Sequence, residues 1–205
     1  MKKVPPLLIL ISAPSGGGKT TLVRQLLRAR KNIVRAITCT TRAPRKGERH
    51  GLDYYFLKAA DFLTRVQAGN FLEHATVYGN SYGLLKAELL GKLRQGKDVL
   101  LNVDVQGAAT IFKKAESEPE LKRALVTIFL TPMSLAEIER RLVNRGADLP
   151  EVIRRRMAVA KQEIAQWKNF DYLLTSTTKQ EDLRRTLAII EAEKMRVARS
   201  QPPEF

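Results

Sequence analysis

The chain has 205 residues and one cysteine, Cys39, which predicts one compact domain that buries its core without staples. A lone cysteine excludes an intrachain disulfide and points to a reducing, cytoplasmic setting, and no apolar run approaches membrane-spanning length. The net charge of +15, from 36 Lys and Arg against 21 Asp and Glu, suits either a polyanionic partner or a small-anion enzyme with an incidentally basic surface. The basic residues are spread along the chain, which favours the second and predicts no nucleic-acid or membrane partner.

Leu7–Ser12 reads as a buried strand, continuous and apolar. Its apolar core is too short for a secretory signal and leads straight into glycines. Next comes SAPSGGGKTTL, residues 12–22. It fits the phosphate-binding loop G-x-x-x-x-G-K-[ST] except that Ala13 replaces the first glycine. Thr20–Arg30 reads as a helix with Leu22, Val23, Leu26 and Leu27 on one face. Strand, glycine loop and helix are the context in which backbone N–H groups wrap an anion at a helix start. Ala13 fits if that position keeps negative φ, and Pro14 stiffens the turn. The bland reading is an ordinary glycine-rich turn; Gly16, Gly17, Gly18, Lys19 and Thr20 in succession weigh against it.

From about Thr38 to Lys92 the strand–helix rhythm breaks. Short β-rich pieces (Ala36–Thr41, Tyr54–Leu57, Phe71–Tyr78) and turn glycines at 47, 51, 79 and 83 suggest an inserted lobe. The rhythm returns with a strand at Asp98–Asp104 and a short helix at Gln106–Lys114. A strand at Val126–Leu130 is stopped by Thr131-Pro132. Ser134 then reads as an N-cap with Glu137 three residues on, opening a helix to about Arg145. Pro150–Trp167 reads as helix, Tyr172–Thr175 as a fourth strand and Glu181–Arg199 as a long final helix. Strands alternating with helices predict an α/β fold with a parallel sheet flanked by helices. Trp167 reads as core, Cys39 as a packed small residue, and His50 and His74 as surface or structural.

Five ordered blocks carry a resemblance: SAPSGGGKTT, TTRAPRKGE, G-x-DYYF, FLEHATVYGNSYG and VDVQGA. From about Leu7 to Leu187 the chain resembles guanylate kinase. The resemblance implies a P-loop NTPase core at 1–36, 93–137 and 160–205. It adds an inserted GMP-binding lobe at 37–92 and a small helical lid at 138–159. It implies ATP and GMP as substrates and Mg2+ as cofactor, with ATP on Ala13, Pro14, Ser15, Gly16, Gly17, Gly18, Lys19, Thr20 and Thr21. GMP falls to Thr38, Arg42, Arg45, Tyr54, Glu73, Tyr82, Asn102 and Asp104, and the metal to Thr20 and Asp104. Lys19, Arg141, Arg145 and Arg156 are the implied catalytic set.

The chemistry of these residue types agrees. Arg42 and Arg45 can fork onto phosphate oxygens. The two acceptor oxygens of Glu73 match the N1–H and 2-amino donors of guanine, which adenine lacks at those places. Lid arginines compensate the charge that spreads over a transferring phosphoryl group. The chain departs from the family pattern at three positions. Asn102 stands where an acidic residue is usual, Leu84 where a hydroxyl is common after Tyr-Gly, and Ser176 where an asparagine often lies near adenine. The rival reading is a guanylate-kinase-like binding module with the fold but without activity. Such modules lack an intact phosphate loop, whereas this chain keeps Gly18, Lys19, Thr20 and the lid arginines.

Overall fold

A computed structural model describes residues 5–77, 79–144 and 150–200. In chain order the first elements are β1 (Leu8–Ser12), α1 (Lys19–Ala29), β2 (Ile33–Arg35), β3 (Cys39–Thr40), β4 (Tyr55–Phe56) and α2 (Ala59–Gln67). Then come β5 (Phe71–Val77), β6 (Asn80–Leu85), α3 (Lys86–Arg94), β7 (Asp98–Asn102), α4 (Val105–Ser117) and α5 (Pro119–Ala124). The chain continues with β8 (Leu125–Pro132), α6 (Leu135–Val143), α7 (Pro150–Ile164), β9 (Tyr172–Ser176) and α8 (Lys179–Lys194).

β1 is buried at every position, as a central parallel strand covered on both faces must be. It pairs in parallel with β7 and β8, in a sheet of order β2-β7-β1-β8-β9. Successive side chains point to opposite faces. Ile9 and Ile11 join Leu22 and Leu26 of α1 and Ile190 of α8. Leu8 and Leu10 join Leu89 and Leu93 of α3 and Ile111 of α4. The period of two thus splits one apolar run between two cores. The second sheet, β4-β3-β6-β5, is built from residues 39–85. It has its own small core of Cys39, Phe62 and Phe71.

The elements expected from sequence are present, with shifted ends. β8 runs through Thr131 to Pro132. The final helix ends at Lys194, and a 3-10 turn at Val197–Arg199 follows it. Trp167 is not core: it sits in a 3-10 segment and is 39% exposed. Gly83 is not a turn but the middle of β6. A Cβ there would lie 2.8 Å from a ring carbon of Phe71, so glycine lets that ring close on the strand. Cys39 is fully buried and its thiol is pushed up to about 11, chiefly by burial, consistent with an inert packed residue. Leu84 is buried with Leu72 and Leu89, so the departure there fills the core. Among the described residues no helix is long and apolar enough to cross a membrane.

Candidate active site

The loop between β1 and α1 is shaped by glycine. Gly16 and Gly18 have φ of 80° and 98°, which side chains rarely adopt. Gly17 has no room for a Cβ, which would stand 2.9 Å from both Ala13 Cβ and the Pro14 carbonyl oxygen. Ala13 is buried in the core with Leu22. α1 starts with no side-chain cap at Gly18, so its first N–H groups face the cleft, as an anion site requires. Thr20 is exposed at this start and Thr21 half-buried.

Lys19 Nζ donates to the Val103 carbonyl at 2.9 Å, tying the loop to the end of β7. Burial lowers its pKa, and the charges of Asp104 and Glu163 oppose that. Asp104 caps α4: one carboxylate oxygen accepts from the Gly107 N–H at 2.8 Å. Among the described residues its other oxygen accepts no hydrogen bond, and the side chain is exposed. Asn102, the exposed last residue of β7, lies beside it.

Glu73 stands on β5 at an irregularity in the pairing with β6. Burial raises its pKa; Asp104 adds to the rise and Lys114 opposes it. Asp104 thus lies within electrostatic reach of both Lys19 and Glu73. On the same lobe, both Arg42 Nη2 contacts to Glu48 are short, at 2.8 and 2.9 Å. The Arg45 backbone N–H donates to the same carboxylate at 2.7 Å. The Arg42 guanidinium lies 5.6 Å from the ring centre of Tyr54, which meets Tyr82 edge-on at 6.2 Å. Arg42, Tyr54 and Tyr82 therefore converge. Thr38, in the connection before β3, is half-buried and its carbonyl accepts from the Tyr55 N–H at 2.9 Å.

α6 opens as expected, with Ser134 Oγ accepting from the Glu137 N–H at 3.2 Å. Glu137 accepts from Arg140 and Arg141, and the hydrogen bonds of these two arginines hold its carboxyl down at about 2. Arg141 reaches back over the loop: its Nη1 is 3.5 Å from where a Gly18 Cβ would stand, and 3.5 Å from Ser176 Oγ. Arg140 is 68% exposed, as a solvated residue would be. Arg156 is half-buried on α7, which packs Ile153 and Met157 against Ile138 and Leu142 of α6. Arg145 lies outside the described residues.

Sequence reading missed Glu163. This α7 carboxylate accepts from the Ser15 N–H at 3.0 Å. The two residues are 148 positions apart, so no local pattern announces the contact. His50 Nδ1 accepts from the Phe56 N–H at 3.2 Å and His74 packs edge-on to Phe62; both are structural.

With this geometry in hand, the family model for guanylate kinase matches residues 6–193. The chain belongs to the guanylate kinase family. It is 40% identical over 193 residues to a guanylate kinase of Novosphingobium aromaticivorans, covering 94% of this chain and 85% of that one. It is 40% identical over 203 residues to the guanylate kinase of Alkalilimnicola ehrlichii, covering 97% and 95%. Its fold resembles the crystal structure of guanylate kinase from Anaplasma phagocytophilum, with a TM-score of 0.71 at 31% identity over 96% of this chain and 90% of that one.

Proposed function

We propose that this protein is a guanylate kinase that transfers the γ-phosphoryl group of ATP to GMP, giving ADP and GDP. One observation carries the reading. The uncapped glycine loop ties its Lys19 to the Val103 carbonyl beside Asp104, the cap of α4, and the same helix holds β5, the strand that bears Glu73, through Lys114 and the Phe71 carbonyl. A donor phosphate and an acceptor nucleotide can meet there.

Residues 37–92 form the GMP-binding lobe and residues 138–159 the lid, on the core made by the rest. The lobe's last helix, α3, packs on the main sheet and anchors it. GMP's phosphate takes Arg42, Arg45, Tyr54 and Tyr82; it replaces Glu48, whose carboxylate occupies Arg42 in the free protein. Glu73 accepts from guanine N1–H and the 2-amino group, with Thr38 beside it and Asn102 and Asp104 lining the floor. ATP lays its phosphates on residues 13–21, with Lys19 at the β- and γ-phosphates. Arg141, Arg145 and Arg156 compensate the charge spreading over the transferred group.

The residues fit Mg2+. Among the described residues no group of three or more His, Cys, Asp or Glu could hold a metal alone. Magnesium in kinases is held by one or two protein oxygens, substrate phosphates and water. The exposed Thr20 hydroxyl and the second Asp104 oxygen supply such oxygens. Bound there, the ion neutralises phosphate charge. The single buried cysteine is in keeping with a cytoplasmic setting.

The test is ADP release with GMP, AMP, CMP and UMP offered in turn. GMP alone should support efficient turnover. GMP binding without turnover would favour the binding-module reading instead.

A further inference from the structure

The chain passes from the main sheet to the second sheet once and returns once. Going out, β2 ends at Arg35, and Ala36, Ile37 and Thr38 lead to β3. Coming back, β6 ends at Leu85 and α3 starts on the next residue. Through Leu89 and Leu93, α3 belongs to the core under the main sheet.

Glu88, in the first turn of α3, bridges the two passages. One of its oxygens accepts from the Ile37 N–H, on the way out, at 3.0 Å. The other accepts from the Tyr55 hydroxyl, on β4, at 3.1 Å. Lys92, one turn further along α3, donates to the first oxygen. The same ammonium lies 3.3 Å from the Arg35 carbonyl at the end of β2. The Glu88 side chain is only 11% exposed, and a carboxylate so shielded is strongly disfavoured without its donors.

Both lobe contacts of Glu88 adjoin a residue assigned to GMP. Ile37 precedes Thr38, and Tyr55 follows Tyr54. The Tyr55 N–H also donates to the Thr38 carbonyl at 2.9 Å, which joins the two segments. Successive side chains of extended chain point to opposite faces. Tyr55 packs on the lobe core of Cys39, Phe62 and Phe71, whereas Tyr54 meets Tyr82 and the Arg42 guanidinium.

We infer that Glu88 is a positioning residue for the phosphoryl acceptor: it pins the lobe to α3 and so fixes where Thr38 and Tyr54 stand relative to the phosphate loop. This rests on the kinase reading and adds a residue that lies in none of the five motif blocks. Without the pin the lobe spreads over several positions. Apparent GMP affinity then falls with the fraction that is competent to bind. A misplacement of about 1 Å between reacting groups can slow the chemistry by about a hundredfold. ATP lies on the loop before α1, which Glu88 does not touch.

The experiment is steady-state kinetics with GMP and ATP varied in turn, in the unmodified protein, Glu88→Ala, Glu88→Gln, Tyr55→Phe and the Glu88→Ala/Tyr55→Phe double variant. Glu88→Ala should raise the KM for GMP by roughly tenfold or more and lower kcat, with the KM for ATP nearly unchanged. Glu88→Gln keeps an acceptor for the Ile37 N–H and should recover most of the loss. Tyr55→Phe removes only the lobe's hydroxyl and should raise the KM for GMP by a smaller factor. The double variant should be no worse than Glu88→Ala, because the hydroxyl acts through the carboxylate. A role in stability alone would lower kcat through loss of active protein and leave both KM values unchanged; that result overturns the inference. So does a KM for ATP that rises as much as that for GMP. Should Glu88→Ala fail to fold, an unchanged KM for GMP in Tyr55→Phe overturns it, and a selective rise supports it. In all these outcomes the kinase reading stands. No GDP from ATP and GMP in the unmodified protein overturns both.

Discussion

The Glu163 carboxylate on α7 accepts a hydrogen bond from the Ser15 N–H at the entry of the phosphate loop, at 3.0 Å. The loop's N–H dipoles converge, and a carboxylate at their rim offsets that convergence before any nucleotide arrives. Burial raises the Glu163 pKa, while the Ser15 N–H and Lys19 oppose the rise. The contact also ties the loop to the helix that bears Arg156. Because it unties the loop from α7, Glu163→Ala should raise the KM for MgATP by roughly tenfold, the scale of one charge-assisted hydrogen bond, and leave the KM for GMP nearly unchanged. Glu163→Gln keeps an acceptor and should recover most of the loss. Steady-state kinetics with each substrate varied in turn checks both.

Lys19→Ala should abolish turnover and leave GMP binding nearly intact, because Lys19 serves the donor phosphates. Calorimetry with GMP alone reads this directly. A comparable loss of GMP affinity would mean that the Lys19–Val103 hydrogen bond holds the acceptor side together.

How much of this was legible beforehand follows from where each signal sits in the chain. β1 and the loop were readable because a continuous apolar run followed by glycines is a local pattern. Gly83 misled because a turn and a close strand–ring approach use the same residue, and only Phe71 on the neighbouring strand tells them apart. β2 is three residues long and its helix α1 outweighs it locally. α3 hid behind Gly91 and its lysines, although Leu89 and Leu93 anchor it on the main sheet. Glu163 and Glu88 gain their meaning from partners on other elements, so composition and spacing carry no trace of them. The cleft residues Arg42, Tyr54, Glu73 and Tyr82 were found only as an ordered set; singly, each reads as an exposed arginine, a packed tyrosine or a strand carboxylate.

Arg156→Ala should lower kcat by roughly a thousandfold, the scale of an arginine supplied to a phosphoryl transition state, with GMP affinity changed much less. The same holds for Arg145→Ala. Single-turnover GDP formation measures it, and near-full rates would assign the arginine to the solvated face of the lid.

Asn102 bears on the metal. It is exposed at the end of β7, two residues before Asp104, and brings no charge. One added carboxylate matters to a divalent ion held by few protein oxygens. Asn102→Asp should lower the magnesium concentration for half-maximal activity, and Asp104→Asn should raise it. An unchanged midpoint in Asn102→Asp would place residue 102 outside the metal's surroundings.

Glu73 carries the central claim. Its pKa is raised, first by burial and then by Asp104. A carboxyl with a raised folded-state pKa contributes stability below its unfolded pKa and loses it as pH rises through the folded value. The ionised form is therefore held at a cost at neutral pH, as sites built for function often are. Glu73→Gln should raise the melting temperature more at neutral than at acidic pH, seen by thermal unfolding at both. The most direct measurement is kcat/KM for GMP and for AMP, in the unmodified protein and in Glu73→Gln. The account predicts a preference for GMP of at least about a hundredfold, eroded in Glu73→Gln because its amide sets a donor against a guanine donor. Equal use of AMP and GMP by the unmodified protein would contradict it.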